Sequence, residues 1–168
     1  MPVARVTAAI VAAVAAGGMS VMLTSPGAAA PAGTDAFEAS PRGDPGAFVT
    51  RIVGYVVKDD YTHAWNYLYP AHQRVAPRHK YVACELQSPL GWILRSVEVL
   101  GVADRRLRIP GQTKRVAGKV VTLRIAYEDP ALQTEGAFVQ SFRAVPAGSR
   151  WAWILTPERY ALYRADAC

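Results

Sequence analysis

An α+β fold is what this sequence predicts, on three observations. From Asp44 to Glu85, apolar residues recur at the helical spacings of three and four. From Trp92 onward the period changes to two, and Val, Ile, Leu, Phe, Tyr and Trp dominate. Breaks at Pro110-Gly111, Asp129-Pro130 and Pro146 to Ser149 then divide that second part into four strands. Helices followed by an antiparallel meander is the pattern of helices packed on one sheet. A chain of 168 residues has room for one such domain.

The first helix starts at Asp44-Pro45, an N-cap followed by proline at the first helical position. Phe48, Ile52, Tyr55 and Val56 form its buried stripe, and Lys58-Asp59-Asp60 interrupts it. A second helix carries Tyr61, Ala64, Trp65 and Leu68 on one face and ends at Pro70. A third begins near Pro77, with Tyr81 pointing inward and Cys84 on the same helix. In the first strand region, Trp92 to Ile109, the alternation slips between Val97-Val99 and Leu100-Val102. A bulge near Gly101 reconciles the two phases and bends the strand. Lys114 to Tyr127, Gly136 to Val145 and Trp151 to Leu155 follow as strands two to four. Trp151 and Trp153 share a face, which makes core packing their expected role.

The opening residues differ from the rest. Arg5 is followed by a run from Val6 to Leu23 of mostly Ala, Val, Ile, Gly and Met, then by Thr24-Ser25-Pro26-Gly27 and small side chains. That is the order of a secretory signal, with Gly27 and Ala29 suited to the peptidase and a cut before Ala30. The same run is about long enough for an uncleaved anchor, which needs roughly 20 apolar residues. No cysteine before Cys84 is there to carry a lipid. The expected organisation is therefore a signal peptide over 1–29, a flexible Pro/Gly/Ala tether over 30–43, and a folded domain over 44–168. The protein is expected outside the cytoplasm, secreted or held at the membrane by its N-terminal segment.

After such a cut the chain carries 18 Lys+Arg against 13 Asp+Glu. A basic surface outside the cytoplasm favours an acidic envelope polymer or lipid headgroups over nucleic acid. Cys84 and Cys168 are the two cysteines, which in an oxidising compartment predicts one disulfide pinning the C-terminus to the middle of the chain.

Two stretches carry a resemblance. Trp65-Asn66-Tyr67-Leu68-Tyr69-Pro70-Ala71-His72-Gln73 and Tyr81-Val82-Ala83-Cys84-Glu85 resemble a W-x-x-L-x-P-x-H-Q … Y-V-x-C-E pattern of secreted proteins from high-GC bacteria. With the order of elements, they suggest the cone-shaped nuclear transport factor 2-like (cystatin-like) fold. The resemblance implies three N-terminal helices packed in the concave face of a bent four-stranded antiparallel sheet. That fold hosts isomerases, dehydratases and cyclases as well as plain binding modules, so it fixes no activity. Its enzymes work inside the cone through an Asp or His, which directs attention to Glu98 and His63 as catalytic candidates. The competing reading puts Glu98 on an open strand face and His63 in solvent. His72 and Gln73 are expected to pin a helix junction by hydrogen bonds.

Other chemistries lack their residues. His63, His72 and His79 have no metal spacing, and Gly-x-Ser-x-Gly and phosphate-binding glycine loops are missing from the folded region. The uneven feature is the hairpin from Asp104 to Lys119, where Arg105, Arg106, Arg108, Lys114, Arg115 and Lys119 face a single acid, Asp104. It either docks an anionic surface or keeps a projecting β-ribbon soluble. The sequence thus predicts an exported, non-catalytic binding or accessory module of the cell envelope, without cofactor or metal. Its partner would be an envelope protein, an anionic polymer or a lipid-like ligand. The alternative is a small-molecule enzyme using the cone interior.

Overall fold

The computed structural model describes residues 43–168. The expected leader and nearly all of the tether lie outside the described residues. The elements run α1 (Pro45–Val57), α2 (Tyr61–Asn66), α3 (Pro70–Val75), α4 (Arg78–Glu85), β1 (Ile93–Arg108), β2 (Arg115–Asp129), β3 (Thr134–Ala147), β4 (Arg150–Trp153) and α5 (Pro157–Arg164). The strands form one antiparallel sheet in the order β1-β2-β3-β4, so the domain is α+β with helices packed on a meander.

α1 begins where local chemistry requires. The Ala47 N–H donates to Asp44 Oδ2 at 2.7 Å, and Pro45 follows the cap. Its buried residues Phe48, Val49, Ile52, Val53 and Val57 lie against Val121, Leu123 and Ile125 of β2, with Trp151 and Ala144 completing the cluster. Burying each such large side chain stabilises the fold by about 1.5–3 kcal/mol. Tyr55 and Val56, expected on the same stripe, are half-buried at its edge.

Four helices precede the sheet rather than three. Pro70 opens α3 instead of closing the helical region, because a proline without an N–H is tolerated at the start of a helix. Pro157 does the same for α5, an eight-residue helix whose N-cap Thr156 Oγ1 accepts from the Arg159 N–H at 3.3 Å. Between α2 and α3 the chain runs beside β4. Trp153 N–H donates to the Tyr67 carbonyl (3.0 Å) and Tyr69 N–H to the Trp153 carbonyl (2.9 Å), which covers that sheet edge.

The β1–β2 register shifts between Val99 and Gly101, at the expected bulge, and again between Leu94 and Ser96. After both shifts Leu94, Val97, Val99 and Val102 stand opposite Tyr127, Ile125, Leu123 and Val121, so Val102 joins the helix-side face and does not share one with Leu100. The bulge absorbs the phase change that the sequence displays. On the other face, near the β1–β2 turn, Leu107, Ile109, Val145, Ala152 and Ile154 form a separate small core. Cys84 and Cys168 lie at disulfide distance, with Cα atoms 5.6 Å apart, and tie α4 to the segment that follows α5. No helix among the described residues is long and apolar enough to cross a membrane.

Candidate functional site

The β1–β2 hairpin does not project freely. Its turn is Ile109-Pro110-Gly111-Gln112, closed by the Gln112 N–H donating to the Ile109 carbonyl at 3.0 Å. Pro at the second position and Gly111 at φ +79° at the third suit a type II turn. A Cβ on Gly111 would stand 2.1 Å from Tyr160 Oη, so α5 presses directly on the turn. Gln112 Nε2 donates to Tyr69 Oη at 3.1 Å, and Ile109 is wholly buried.

The clamp centres on His72, a fully buried polar side chain on α3. Its Nδ1 accepts the Leu155 N–H at 3.0 Å, so the ring proton sits on Nε2 and is donated to the Pro110 carbonyl at 3.1 Å. Tyr69 and Tyr160 flank the ring. Burial holds the imidazole below its usual pKa, against the opposing pull of the Pro110 carbonyl. Gln73, its neighbour, donates through Nε2 to the Trp65 carbonyl at 2.9 Å. The pair therefore pins not just a helix junction but also the turn before β2 and the segment leading into α5.

The basic residues of the hairpin separate into two groups. Lys119 Nζ lies 2.6 Å from Asp104 Oδ1, so these two charges compensate each other. Arg105 reaches only the Asp104 carbonyl and Arg106 only the Arg115 carbonyl, each at 3.3 Å. Arg108 stands directly opposite Arg115 in the register. Arg105, Arg106, Arg108, Lys114 and Arg115 are all exposed, and among the described residues none makes a salt bridge.

Sequence reasoning missed Arg143. It lies on β3 opposite Val120, which itself pairs with Ala103 just before the basic run. Only strand pairing brings it there, and its position in the chain gives no signal. A hollow of about 270 Å³ is lined by Arg108 and Pro110 from the hairpin, Arg143 from β3 and Pro157 from α5.

Glu98 and His63 are not brought together. Glu98 pairs across the strands with Arg124 at 3.4 Å, both more than half exposed, on the sheet face turned away from α1. His63 sits on α2, where Nδ1 lies 2.6 Å from Asp60 Oδ2 and the ring stacks on Tyr55 of α1. A second polar cluster joins α4 to α5: Arg159 Nη2 donates to Glu85 Oε1, which also accepts the Tyr163 hydroxyl at 2.7 Å. Burial foremost, then Glu85, drives the Tyr163 hydroxyl above its usual pKa. That cluster is closed on itself and ties the two helices beside the disulfide. Among the described residues no group of three or more His, Cys, Asp or Glu side chains is placed to hold a metal ion.

No protein-family description matches this chain, and no curated protein is significantly similar to it in sequence.

Proposed function

We propose that the chain is an exported, non-catalytic binding module of the bacterial cell envelope that docks an anionic polymer through the basic end of its sheet. In this reading the domain is a cone-shaped, nuclear transport factor 2-like fold. The helices-first order, the four-stranded meander and the two bulges in β1 support that assignment. The cysteine pair at disulfide distance supports an oxidising, extracytoplasmic compartment.

One observation carries the functional reading. Arg105, Arg106, Arg108, Lys114, Arg115 and Arg143 lie toward one end of the sheet, Arg105 and Arg143 on the face turned from α1 and Arg106, Arg108 and Arg115 on the other, and among the described residues none is matched by a carboxylate within salt-bridge distance. Gathered like charges raise the local potential and attract a polyanion. The turn beneath them is fixed, so little ordering cost opposes binding. A membrane surface fits less well. Among the described residues the exposed large apolar side chains are those of Leu86, Ile93, Val99, Leu100, Val102, Leu132, Val139 and Leu162, and none stands within the basic run to insert beside the headgroups.

The test is binding of the full chain to labelled inorganic polyphosphate, with neutral dextran and anionic vesicles as comparisons. Polyphosphate should bind at low salt and weaken as salt shortens the Debye length from about 30 Å to about 8 Å. The double substitution Arg105→Glu, Arg115→Glu should lower affinity by at least about tenfold. Indifference to both salt and charge reversal would overturn the reading, and tight binding to vesicles alone would replace the polymer with a membrane.

A further inference from the structure

β1 is the free edge of the sheet. The β4 edge is covered by Tyr67 to Tyr69, but among the described residues β1 pairs with β2 alone over its 16 residues. In the middle of that edge Val99, Leu100, Gly101 and Val102 are all exposed, the three side chains by 43–44%. Four apolar residues in a row on an unpaired edge make a template for another strand. We infer that the occupant is a second copy of this chain, its β1 pairing antiparallel with the first across a two-fold axis at the bulge. The inference stands independently of the docking reading.

Face parity selects the register. The bulge at Leu100 inverts the alternation, so Val99 and Val102 both lie on the α1 side, while Glu98, Ala103 and Arg105 lie on the other. A two-fold axis between Leu100 and Gly101 sets Val99 of each copy opposite Val102 of the other, on one face. Leu100 of each copy then meets Gly101 of the other, where nothing stands within 4 Å of the position a Cβ would take. Such a contact uses the same patch on both copies and closes at two. A slip of one residue sets opposite faces against each other. A slip of two toward the β1–β2 turn sets Val99 against Asp104.

Charge supports the same register. On the face turned from α1, Glu98 stands diagonal to Arg105 of the second copy, about 7–8 Å away and within reach of long side chains. The pair occurs twice, once on each side of the axis. Among the described residues Arg105 has no carboxylate partner, and Glu98 has only the exposed Arg124 at 3.4 Å. A slip of two away from the turn separates Glu98 from Arg105. Toward the ribbon's ends Val97 faces Asp104 and Ser96 faces Arg105, which gives the contact a polar rim. Arg95 comes beside Arg106, but Arg95 is already paired with Glu128. An edge that is merely blunted carries charge at its middle. Here the middle is apolar, and the charges flank it with opposite signs.

Sedimentation of the full chain over a range of concentrations, without polyanion, tests this. A dimer that dissociates on dilution is expected. Val102→Lys puts two cations at the centre of the ribbon and should weaken association by at least about tenfold. Glu98→Arg and Arg105→Glu should each weaken it by about tenfold, because each sets like charges across the axis. Mixing those two variants should restore association, since their heterodimer carries one acid and one base at each diagonal. Damage to the fold cannot produce that rescue. A monomeric mass up to about 100 μM would overturn the inference. A dimer that Val102→Lys leaves intact would do the same, because it must lie on another surface. Failure of the mixture to associate would overturn the register.

Discussion

The two ends of the sheet are built on different principles. At the β1–β2 end the turn is clamped from outside: α3 supplies His72, the residue before it supplies Tyr69, and α5 supplies Tyr160. At the β2–β3 end the loop satisfies itself. Asp129 Oδ1 accepts the N–H groups of Ala131 at 3.0 Å and Leu132 at 3.2 Å, and Gln133 takes a left-handed φ of 52°. Stacked Trp92 and Tyr127, 4.1 Å apart, support its base together with Phe138. The charges differ as well. The β2–β3 end has the larger hollow, about 430 Å³, but Arg95 there pairs with Glu128 and Glu135 adds a further acid. The smaller hollow at the other end keeps two arginines without a salt bridge. The two ends thus differ more in uncompensated charge than in the room they offer, and the proposed polyanion docking rests on that charge.

The clamp is the place to break this difference most severely. Removing the imidazole in His72→Ala leaves the Leu155 N–H and the Pro110 carbonyl without partners at a buried site and opens a cavity beside Tyr160. Each orphaned group costs about 1–3 kcal/mol, so a loss of about 3–5 kcal/mol is expected, against a total of about 5–15 kcal/mol for a domain. Urea unfolding measures it. A loss below about 1 kcal/mol would mean that water replaces the ring and that the clamp is not rigid. His72→Gln, whose amide offers both a donor and an acceptor, should recover part of the loss.

How legible this was in the sequence follows the range of each interaction. The start of α1, the bulge near Gly101, the Pro-Gly turn and the division into helices and strands depend on neighbours a few residues apart, and each shows in the local pattern. The cysteine pair was readable because only two cysteines exist. Pro70 misled because proline reads as a stop from one side and as a helix start from the other. The site was legible in part. The basic run stood out, but Arg143 joins it only through β2–β3 pairing. His72 was read as a junction residue, yet its partners Pro110 and Leu155 lie 38 and 83 residues away. Glu98 and His63 drew attention by type alone, and strand parity then put Glu98 opposite the exposed Arg124.

Acid sharpens the comparison without a mutation at the patch. His72 titrates below the usual imidazole value of 6.5 because burial disfavours its charged form. Above that value neither the folded nor the unfolded chain protonates it, and its contribution to stability is complete. As pH falls below 6.5 the unfolded state takes up the proton first. Stability should then drop by up to about 1.4 kcal/mol per pH unit, levelling off below the folded-state pKa. The rings packed on it are those of Tyr69 and Tyr160. Glu158 and Asp166 also titrate below their usual values, 4.5 and 3.8, so the stability they add is present above those values and lost only in more acid solution. Denaturation at pH 7, 6 and 5 should show the slope in the parent and lose it in His72→Gln. An equal slope in both would place the titrating group elsewhere.

The smallest effects test whether the two ends differ in electrostatic sign. Arg95 at the β2–β3 end is paired with Glu128, although 53% of its own side chain remains exposed. Solvent screening limits such a pair to about 0–1 kcal/mol, so Arg95→Gln should destabilise by no more than that. Arg115 at the β1–β2 end instead stands across from Arg108, and like charges directly opposite in a ladder are unfavourable. Arg115→Gln should therefore stabilise the fold by a few tenths of a kcal/mol while weakening polyanion binding. Raising salt should shrink both changes toward zero, because exposed charges are screened. Melting curves at low and high salt read both. A protein that gains stability when a cation is removed is holding that cation against its own fold, and only an external anion makes the arrangement favourable. If Arg115→Gln destabilises instead, the basic end is internally compensated like the other, and the asymmetry that singles it out as a binding surface disappears.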